Sequence, residues 1–407
     1  MTSEVIIIGG GAAGAFAGLI SAKMGRKVII FEKNERIGRK LRITGKGRCN
    51  LTNNCTNDEL INNIPVNSRF LYSAFSGFSP QDTMDFFENL GIPLKTERGQ
   101  RVFPVSDNAN DIADALEKEL KKYKVKIIHE TVKHILSDDN ICTGVITESG
   151  KEYNAESILI ATGGKSYPLT GSTGDGYRMA KELGHTVTNI YPSLVPLVIT
   201  EKYCSDMMGL SLKNVELKLY DNEKCIFSEQ GEMLFTHFGV SGPLVLSASS
   251  HIRDMKPKRY RISIDLKPAL SVQQLDKRIQ RDFSENQNRD FINAVRNLLP
   301  SKMIPVMVKL SGIPADKKVN GITKEERQKF AELLKDFTLN IKDFRPIDEA
   351  IITSGGISVK EINPKTMESR LISGLFFAGE VIDTDAYTGG FNLQIAFSTA
   401  YSAGINM

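Results

Sequence analysis

A glycine-rich turn between two short apolar runs constrains this chain more than any other feature. The run Val5–Ile8 is typical of a buried parallel strand, and the next six residues, GGGAAG at 9–14, fit the pattern GxGxxG. An alanine-rich, helix-compatible segment follows up to Met24. A second apolar run, Val28–Phe31, then ends at Glu32. This order of strand, glycine turn, helix, strand and acid predicts a unit that binds a dinucleotide.

Each part of this unit has a mechanical reason. Gly9 permits the tight turn, Gly11 lets the backbone approach a pyrophosphate, and Gly14 lets the helix lie close to the strand. The helix N-terminus offers free N–H groups to the phosphates. Glu32 can accept hydrogen bonds from ribose hydroxyls and would repel a 2′-phosphate. A glycine turn that binds nothing is the alternative, and at this point FAD, NAD and other adenine dinucleotides all remain open.

Two later segments favour FAD. A strand-like run at 156–160 ends in Ala161-Thr162-Gly163, which alone is a weak motif. Near the C-terminus the apolar run Leu375–Ala378 closes on Gly379-Glu380, and Asp383 follows shortly after. This arrangement is similar to the segment by which FAD enzymes hold the ribityl chain and the pyrophosphate. An NAD domain has no need of it.

The chain ends with a glycine-containing loop before a helix. Gly389–Gln394 leads into the helix-compatible run Ile395–Ala403. This would place a helix N-terminus at the pyrimidine edge of a flavin, where N–H groups and the helix dipole favour the electron-rich reduced ring. The alternative is a simple loop before a terminal helix. No second GxGxxG follows an apolar strand, so we expect NAD(P)H only as a transient co-substrate without a domain of its own.

Composition bounds the remaining possibilities. The 407 residues are enough for two or three domains, and a net charge of +4 argues against a general nucleic-acid binder. Five scattered cysteines suit reduced thiols in a cytoplasm, and neither CxxC nor paired-histidine spacing occurs, so we predict no metal site. We read neither a signal peptide nor a membrane-spanning run, and we expect a cytoplasmic protein.

With these features in place, the chain resembles a bacterial family of NAD(P)/FAD-dependent oxidoreductases, the HI0933-like flavoproteins. The family includes aminoacetone-oxidase-like proteins and reductases of unsaturated 3-oxo bile acids. The most specific stretch is GRKLRITGKGRCNLTN at 38–53. Further family-like segments are Arg101–Ser106, Pro192–Leu197, Leu234–Pro243, Thr353–Gly356 and Gly389–Gln394.

The resemblance implies an α/β fold in which a Rossmann-like FAD-binding domain, of the glutathione-reductase type, is interrupted by an inserted β-barrel that carries a small α-helical domain. The expected boundaries are 1–192 and 351–407 for the FAD domain, 193–270 and 337–350 for the barrel, and 271–336 for the helical domain. The residues support this independently, because strand-like runs fill Leu194–Leu266. The pattern then turns helical from Ser271 to Asp336, where Ser271-x-x-Gln274 and Thr323-x-x-Glu326 fit capping boxes.

Six basic residues lie within 36–48, namely Arg36, Arg39, Lys40, Arg42, Lys46 and Arg48. The resemblance implies that Arg39 and Lys40 lie along the FAD and that Arg48-Cys49-Asn50 approach the flavin ring, where a cation would stabilise the anionic reduced flavin. A solvated basic loop and a nucleic-acid patch are the alternatives.

The predicted cofactor set combines these motifs. It comprises Gly9, Gly11, Ala12, Ala13, Gly14, Glu32, Lys33, Arg39, Lys40, Gly47, Arg48, Cys49, Asn50, Val132, Ala161, Thr162, Gly163, Gly379, Glu380, Asp383, Gly390, Phe391, Asn392, Leu393 and Gln394.

Three further positions are candidates for chemistry. His237, in Phe-Thr-His-Phe-Gly, could act as an acid or base, although a structural histidine at a barrel turn is the alternative. Tyr387 could face the substrate. Cys49 and Cys55 are spaced CxxxxxC rather than the CxxxxC of disulfide reductases, so we interpret Cys49 as a packed side chain.

These features predict an FAD-dependent oxidoreductase that transfers hydride between flavin N5 and a small organic molecule. NAD(P)H or oxygen would be the other redox partner. The rival hypotheses are a flavoprotein that acts on RNA and a non-catalytic flavin redox sensor. We expect neither membrane nor nucleic-acid partners, and a monomer or homodimer.

Overall fold

The described chain, residues 2–256 and 258–407 of the computed structural model, divides into two units. The first unit is formed by the chain up to Ser193 together with Ile347–Met407, and the second by Leu194–Pro346. The domain boundaries expected from the sequence stay predictions.

The first unit begins with alternating strands and helices. Its strands before the interruption are β1 (Thr2–Ile8), β2 (Val28–Phe31), β3 (Thr52–Asn53), β4 (Leu94–Glu97), β5 (Arg101–Pro104), β6 (Lys126–Ile128), β7 (Val132–Asp138), β8 (Ile141–Thr147), β9 (Glu152–Ile160) and β10 (Tyr191–Ser193). Its helices there are α1 (Ala12–Lys23), α2 (Arg39–Ile43), α3 (Asn57–Asn62), α4 (Tyr72–Gly77), α5 (Pro80–Asn89), α6 (Ala109–Lys122) and α7 (Asp175–Glu182).

The second unit contains a closed antiparallel barrel and a group of helices. The barrel strands are β11 (Leu197–Ile199), β12 (Ser211–Asp221), β13 (Lys224–Phe235), β14 (Gly239–Ser241), β15 (Tyr260–Asp265) and β16 (Phe337–Phe344), joined in the order β11-β14-β13-β12-β15-β16. The helices are α8 (Pro243–Ser249), α9 (Val272–Ser284), α10 (Phe291–Ala294), α11 (Ile304–Ser311) and α12 (Lys324–Lys335).

The chain then returns to the first unit through β17 (Ile352–Ser354), β18 (Leu375–Phe377) and the terminal helix α13 (Phe391–Asn406). The main sheet has the order β6-β2-β1-β9-β8-β7, and β18 pairs with β9. The pairs among β6, β2, β1, β9 and β18 are parallel, whereas β7, β8 and β9 pair antiparallel. Two smaller antiparallel sheets, β3-β5-β4 and β10-β17, complete the unit.

The paired run Val5–Ile8 of β1 is apolar on every residue because both faces of this strand are covered. Each residue of Val5–Ile8 is buried, and this run pairs in register with Val28–Phe31 on one side and with Ser157–Ile160 on the other. A continuous apolar run is what a parallel strand in such a position requires. Helix α1 approaches this sheet closely, since a β-carbon at Gly18 would lie 2.9 Å from Cδ1 of Ile30.

The barrel shows the alternation that a sheet closed around a core requires. Leu217 and Leu219 of β12 lie opposite Ile264 and Ile262 of β15, and all four side chains are buried. Both predicted capping boxes are confirmed, because Ser271 caps α9 with Gln274 and Thr323 caps α12 with Glu326. Within the described residues, no helix is long and apolar enough to cross a membrane.

Phe397 of α13 gives a test of the first unit's packing. Its ring is fully buried, with centroids 5.3 Å from Phe16 and 5.5 Å from Phe87. We expect Phe397→Ala to lower the free energy of unfolding of this unit by about 3–5 kcal/mol through loss of buried apolar contact and creation of a cavity. Urea denaturation followed by circular dichroism measures this. Met24→Ala, at a 63% exposed position, is the control and should change it by less than about 0.5 kcal/mol.

Candidate functional site

A cavity in the first unit opens at the carboxyl ends of β1, β2, β9 and β18. Its lining includes Ile8 and Phe31, which end their strands, and Ala161 and Ala378, which directly follow theirs. Parallel sheets bind ligands at this edge because the connections that leave the strand ends there can be shaped freely around a molecule. The cavity is therefore the first candidate for a functional site.

The glycine turn forms one wall of the cavity. Gly9 has φ +101°, and a β-carbon there would lie 2.6 Å from the carbonyl oxygen of Ala161. A β-carbon at Gly14 would collide with the carbonyl oxygen of Gly9, so helix α1 can approach the turn only without a side chain. At Gly11 the situation is reversed, because no atom of the described residues lies within 4 Å of the β-carbon position. Gly11 thus leaves open space where the cavity wall is bare backbone.

The N-terminus of α1 faces this open space with its N–H groups uncapped. Gly11 is the N-cap residue and makes no side-chain cap, and the first turn carries no acidic residue. The first N–H groups of a helix have no partner within the helix and carry a partial positive charge. The wall therefore suits a phosphate or pyrophosphate group.

Glu32 is held rigidly at one end of the cavity. Its side chain is 8% exposed, its Oε2 accepts the N–H of Gly10 at 2.9 Å, and its Oε1 accepts the N–H of Asn34 at 2.9 Å. These bonds fix the orientation of the carboxylate, which keeps further acceptor capacity toward the cavity that it lines. This geometry suits the hydroxyl groups of a ribose.

A loop around residues 170–175 is bonded across the same end. The Nζ of Lys33 donates to Thr173 at 2.6 Å and pairs with Asp175 at 2.7 Å. The Nδ2 of Asn34 donates to the carbonyl oxygen of Thr170 at 3.1 Å. Lys33, Asn34, Thr170 and Asp175 all line the cavity, so these bonds close one end of it.

Lys40 and Glu380 form a partly buried ion pair in the cavity wall. Their Nζ and Oε2 atoms are 2.7 Å apart, and the side chains are 22% and 15% exposed. Ser166 bonds both partners, and Oε1 of Glu380 also accepts the N–H of Thr353 at 2.9 Å. Because each partner has several bonds, the pair is held in one position rather than left to reorient.

Two threonine hydroxyls in the lining are buried without a hydrogen-bond partner among the described residues. They are Oγ1 of Thr162, in the turn after β9, and Oγ1 of Thr384, close to the start of α13. An unsatisfied buried hydroxyl costs about 1–3 kcal/mol, so such groups are normally paired. Both threonines are therefore suited to bond a polar ligand that fills the cavity.

The terminal helix supplies the far end of the cavity. Its N-cap, Gly390, has φ +96°, and its first turn carries no charged side chain. The Oδ1 of Asn392 accepts the N–H of Ala386 at 2.9 Å, and its Nδ2 donates to the carbonyl oxygen of Ala386 at 2.8 Å. Asn392 and Leu393 line the cavity. Two helix N-termini, those of α1 and α13, thus contribute to the same cavity.

The structure brings most of the predicted cofactor residues together in this lining. The lining contains Gly9, Gly11, Ala12, Ala13, Glu32, Lys33, Arg39, Lys40, Val132, Ala161, Thr162, Gly163, Gly379, Glu380, Asn392 and Leu393. The predicted residues outside it are Gly14, Gly47, Arg48, Cys49, Asn50, Asp383, Gly390, Phe391 and Gln394. Whether any of them contacts a cofactor stays a prediction.

Arg48 has partners that the sequence did not indicate. Its guanidinium pairs with Glu97 at 2.5 Å and with Asp107 at 2.6 Å, and it lies 4.2 Å from the centroid of the Phe103 ring. The hydrogen bond from Arg48 lowers the pKa of Glu97. The guanidinium is thus held by two carboxylates, whereas the resemblance implied that this segment approaches a flavin ring.

Gln394 and Phe391 support the terminal helix from inside. The Oε1 of Gln394 accepts the hydroxyls of Thr52 at 2.6 Å and Thr83 at 2.8 Å, and its Nε2 donates to the carbonyl oxygen of Phe78 at 3.1 Å. Gln394 is fully buried, and Phe391 packs in a small apolar cluster. Both the oxygen and the nitrogen of the Gln394 amide are therefore hydrogen-bonded to other groups of the protein.

The basic run at 36–48 is mostly paired within the fold. Four of its six cations have acidic partners: Arg36 and Arg42 with Asp114, Lys40 with Glu380, and Arg48 with Glu97 and Asp107. The guanidinium of Arg39 donates to Oδ1 of Asn34 at 2.7 Å. The run is therefore largely neutralised rather than a continuous basic surface.

The two candidate catalytic residues lie in different units, and Tyr387, in the unit that contains the cavity, is not among its lining residues. His237 follows β13 in the second unit, where its ring lies edge-on to Phe238 with centroids 4.9 Å apart. Tyr387 precedes α13 in the first unit, and its N–H donates to the carbonyl oxygen of Asn63 at 3.0 Å. Their catalytic roles stay predictions.

The sequence reasoning missed several lining residues. Asn34, Thr170, Ser172, Asp175 and Thr384 all contribute to the wall. The segment Gly171–Gly176 is rich in glycine, but no apolar strand-like run precedes it. Its glycines and hydroxyls were a signal of close approach to a ligand that a strand-based motif search does not find. In the described part of the chain, no group of three His, Cys, Asp or Glu side chains is arranged to hold a metal ion.

Comparisons with known proteins agree with this architecture. A family model described as the HI0933-like protein Rossmann domain matches residues 3–406. The chain is 31% identical to a 3-dehydro-bile acid delta(4,6)-reductase of Clostridium scindens, with 99% of this chain and 98% of the relative covered. It is also 31% identical to a ribosomal RNA dihydrouridine synthase of Haemophilus influenzae, with coverage of 100% and 98%.

A solved structure of 3-ketosteroid-delta4-(5alpha)-dehydrogenase from Rhodococcus jostii RHA1 is similar in fold, with a TM-score of 0.53 at 14% identity. The match covers 100% of this chain and 96% of that one. Together with the observed sheet and barrel, these matches confirm the predicted family resemblance and the predicted fold class of a Rossmann-type α/β domain with a closed barrel.

The cysteines provide a test of this geometry. Burial raises the pKa of Cys49 to about 12 and that of Cys55 to about 11, whereas Cys225 is exposed, and all three thiols are free. At pH 8 the thiolate fraction of Cys49 is then about one in ten thousand, and only the thiolate reacts. We expect Ellman's reagent to label Cys225 within minutes and to leave Cys49 and Cys55 unlabelled in the folded protein.

The control is Cys225→Ser, which should abolish the fast reaction, while urea should expose every remaining thiol. Rapid labelling of Cys49 or Cys55 in folded Cys225→Ser would contradict the burial seen here and revive the hypothesis of a redox-active pair.

Proposed function

Since the chain belongs to the HI0933-like Rossmann-domain family, a family of flavoprotein oxidoreductases, we propose that it is an FAD-dependent reductase of carbon–carbon double bonds conjugated to a carbonyl group. The proposed substrate is a small apolar molecule of the 3-oxo steroid type. NAD(P)H is the proposed source of electrons.

One observation carries the cofactor assignment. Glu32, the bare backbone of Gly11 and Asn392 at the N-terminus of α13 all line one and the same cavity. An elongated cofactor with a ribose at one end, a pyrophosphate in the middle and a polar ring system at the other matches this order of partners. The unpaired hydroxyls of Thr162 and Thr384 fit the same conclusion, because the described protein satisfies neither.

The residues that would hold FAD follow from these contacts. Glu32 would accept the ribose hydroxyls, and the N–H groups that follow Gly11 would bind the pyrophosphate. The Lys40–Glu380 pair and Thr162 would line the ribityl chain. The segment Asn392–Leu393 would contact the ring system, where the N-terminus of α13 stabilises negative charge.

The proposed reaction class rests on what the two relatives have in common. A delta(4,6)-reductase of a 3-dehydro bile acid and a dihydrouridine synthase are both named for saturating a carbon–carbon double bond. In a 3-oxo-Δ4 steroid and in uracil alike, that bond is conjugated to a carbonyl. When bound and reduced by NAD(P)H, FAD would supply a hydride from N5 for the β-carbon of such a system, and the α-carbon would take up a proton that comes from solvent. The protein's part is to position the alkene and to stabilise charge that develops on the oxygen.

A second candidate function is the reduction of a uridine in ribosomal RNA. The synthase of Haemophilus influenzae matches this chain as well as the bile-acid reductase does. Charge is also unevenly distributed, because the second unit has 25 Lys and Arg against 19 Asp and Glu, whereas the first has 27 against 29. A surplus of cations on one unit favours a polyanion. We rank this function second because a surplus of six over 153 residues is modest.

A substitution at Gly11 tests the cofactor assignment. The backbone there has φ −72° and ψ −168°, which any residue adopts, and a β-carbon would project into the cavity. We expect Gly11→Ala to weaken FAD binding and Gly11→Val to raise the dissociation constant at least about tenfold, which corresponds to about 1.4 kcal/mol. The melting temperature of the FAD-free protein should stay unchanged.

Flavin fluorescence during titration of the FAD-free protein measures the dissociation constant. Gly77→Ala is the matched control, since a β-carbon there has Cδ1 of Tyr401 at 3.9 Å as its nearest neighbour. Equal FAD affinity in Gly11→Val and wild type would place the cofactor elsewhere.

The reaction itself is tested by anaerobic half-reactions. We expect NADPH or NADH to bleach the flavin absorbance at about 450 nm, and a 3-oxo-Δ4 steroid to restore it with formation of the saturated ketone, detected by mass spectrometry. Oxygen is excluded so that only the alkene can accept the electrons. A steroid saturated at C4–C5 is the control and should leave the flavin reduced.

The second candidate predicts a different outcome in the same apparatus. Reduced protein that ignores the steroid but forms dihydrouridine in unmodified ribosomal RNA would replace the small-molecule proposal. Reduction by neither nucleotide, with intact bound FAD, would favour an oxidase or a redox sensor.

A further inference from the structure

The ring of Phe103 joins two loops of the first unit. A β-carbon at Gly45 would lie 3.6 Å from Cε1 of this ring, and the guanidinium of Arg101 lies 5.8 Å from its centroid. The first loop is the short 3-10 turn Thr44–Gly47, and the second is the hairpin tip between β4 and β5. Lys46 of the first loop and Arg101, the first residue of β5 after the tip, are therefore on adjacent segments.

Both loops are bonded closely to the cavity wall. Thr44 lines the cavity, and Lys46 follows two residues later in the same turn. The Nδ2 of Asn53 donates to the carbonyl oxygens of Gly99 and of Gly389, at 3.0 Å each. Gly389 lies three residues before Asn392, at the end of the cavity assigned above to the flavin ring system. The side chain of Asn53 thus links the hairpin tip to the segment that leads into that end of the cavity.

The surface formed by these two loops and the start of β5 carries more basic side chains than its acidic side chains can neutralise. Glu97 and Asp107 pair with Arg48 and Lys95. Among the described residues, no acidic side chain lies within ion-pair distance of Lys46, Arg98 or Arg101, and all three residues are exposed. The surplus of three positive charges occurs in a unit whose 29 acidic residues otherwise outnumber its 27 basic ones.

The backbone of both loops is held in an unfavourable conformation. Lys46 has φ +60° and Gln100 has φ +58°, a region that residues other than glycine seldom adopt. Residues held in this way cost about 1–3 kcal/mol each and cluster at binding and catalytic sites. The Nε of Arg101 donates to the carbonyl oxygen of Arg98 at 3.0 Å, which orients the guanidinium of this exposed residue. The three cations are therefore presented by fixed loops.

We propose that Lys46, Arg98 and Arg101 form an anion-recognition surface that binds a carboxylate carried by the substrate, beside the end of the cavity where reduction takes place. The inference rests on the proposed function and deepens it. It assigns the substrate class as an apolar enone with an acidic side chain. Guanidinium groups suit this role because two parallel N–H groups match the two oxygens of a carboxylate.

The test uses the FAD-loaded full chain and the triple variant Lys46→Gln, Arg98→Gln, Arg101→Gln. Glutamine keeps length and polarity but removes the charge. Two 3-oxo-Δ4 steroids are compared, one with a side-chain carboxylate and the other its methyl ester. We expect the triple variant to lower kcat/KM for the acid about tenfold or more, mainly through KM, and to leave the ester unchanged.

Arg26→Gln is the matched control. This exposed arginine follows the C-terminal end of α1, whose opposite end faces the cavity. Its substitution should leave kcat/KM unchanged for both substrates. Bleaching of the flavin by NAD(P)H should also be equal in all variants. For the wild type, raising the salt concentration should raise KM for the acid and leave KM for the ester unchanged, because salt screens exposed charges.

A second readout separates this inference from the proposed function. A bile acid with a saturated ring system cannot be reduced, but its binding can be followed through the shift that it causes in the flavin spectrum. Binding by the wild type that is about tenfold weaker in the triple variant supports the inference even if no enone is reduced. If the triple variant reduces both the acid and the ester, and kcat/KM falls equally for the two or for neither, the inference is overturned and the proposed reductase function stands.

The remaining outcomes are also decisive. Wild type that neither binds the saturated acid nor reduces the enone overturns both proposals. If an RNA oligonucleotide binds instead, and the triple variant loses that binding, the cations serve phosphates, and the carboxylate assignment is wrong.

Discussion

The contact between Gly9 and Gly14 is the constraint on which the rest of the first unit depends. Any side chain at Gly14 would collide with the carbonyl oxygen of Gly9. The turn can therefore form only if helix α1 has no side chain at this position. Closure brings the N-terminus of α1 to the carboxyl edge of the sheet, beside the ends of β1 and β9. The same close approach leaves Gly11 facing open space. One steric requirement thus accompanies both the packing of α1 on the sheet and the open space beside Gly11 in the cavity wall.

The interruption of this unit by 153 residues costs its fold little, because the two ends of the insertion are held together. Strand β10 pairs antiparallel with β17, with Ser193 opposite Ile352 and Tyr191 opposite Ser354. The buried carboxylate of Asp385 accepts the hydroxyls of Ser193 at 2.8 Å and of Ser354 at 3.1 Å. Since the entropic cost of closing a loop rises only slowly with its length, a large insertion at such a fastened point is tolerated.

The parts of the molecule that follow local rules could be predicted from the sequence. Strand β1, the glycine turn, Glu32 and both capping boxes depend on residues within a few positions of one another. The partners of Lys40 and Arg48 could not be predicted in the same way. Lys40 pairs with Glu380, 340 positions away, and Arg48 with Asp107, 59 positions away. A run of basic residues carries no information about which of its members the fold will neutralise.

Because most of the basic run is neutralised, the first unit offers anions two different kinds of partner: backbone N–H groups in the cavity and exposed basic side chains outside it. In the cavity the positive end of α1 comes from backbone dipoles, and Lys40, in the same lining, is bound to Glu380. Backbone N–H groups in a shielded wall are little affected by salt, whereas exposed side-chain charges are screened within about 8–10 Å in physiological buffer. Under the proposed function, this distribution of charge would make cofactor binding insensitive to salt and recognition of a substrate carboxylate sensitive to it. Among the described residues, Lys46, Arg98 and Arg101 take part in no ion pair, so the first unit has salt-sensitive cations on exposed segments and fixed backbone dipoles in its cavity wall.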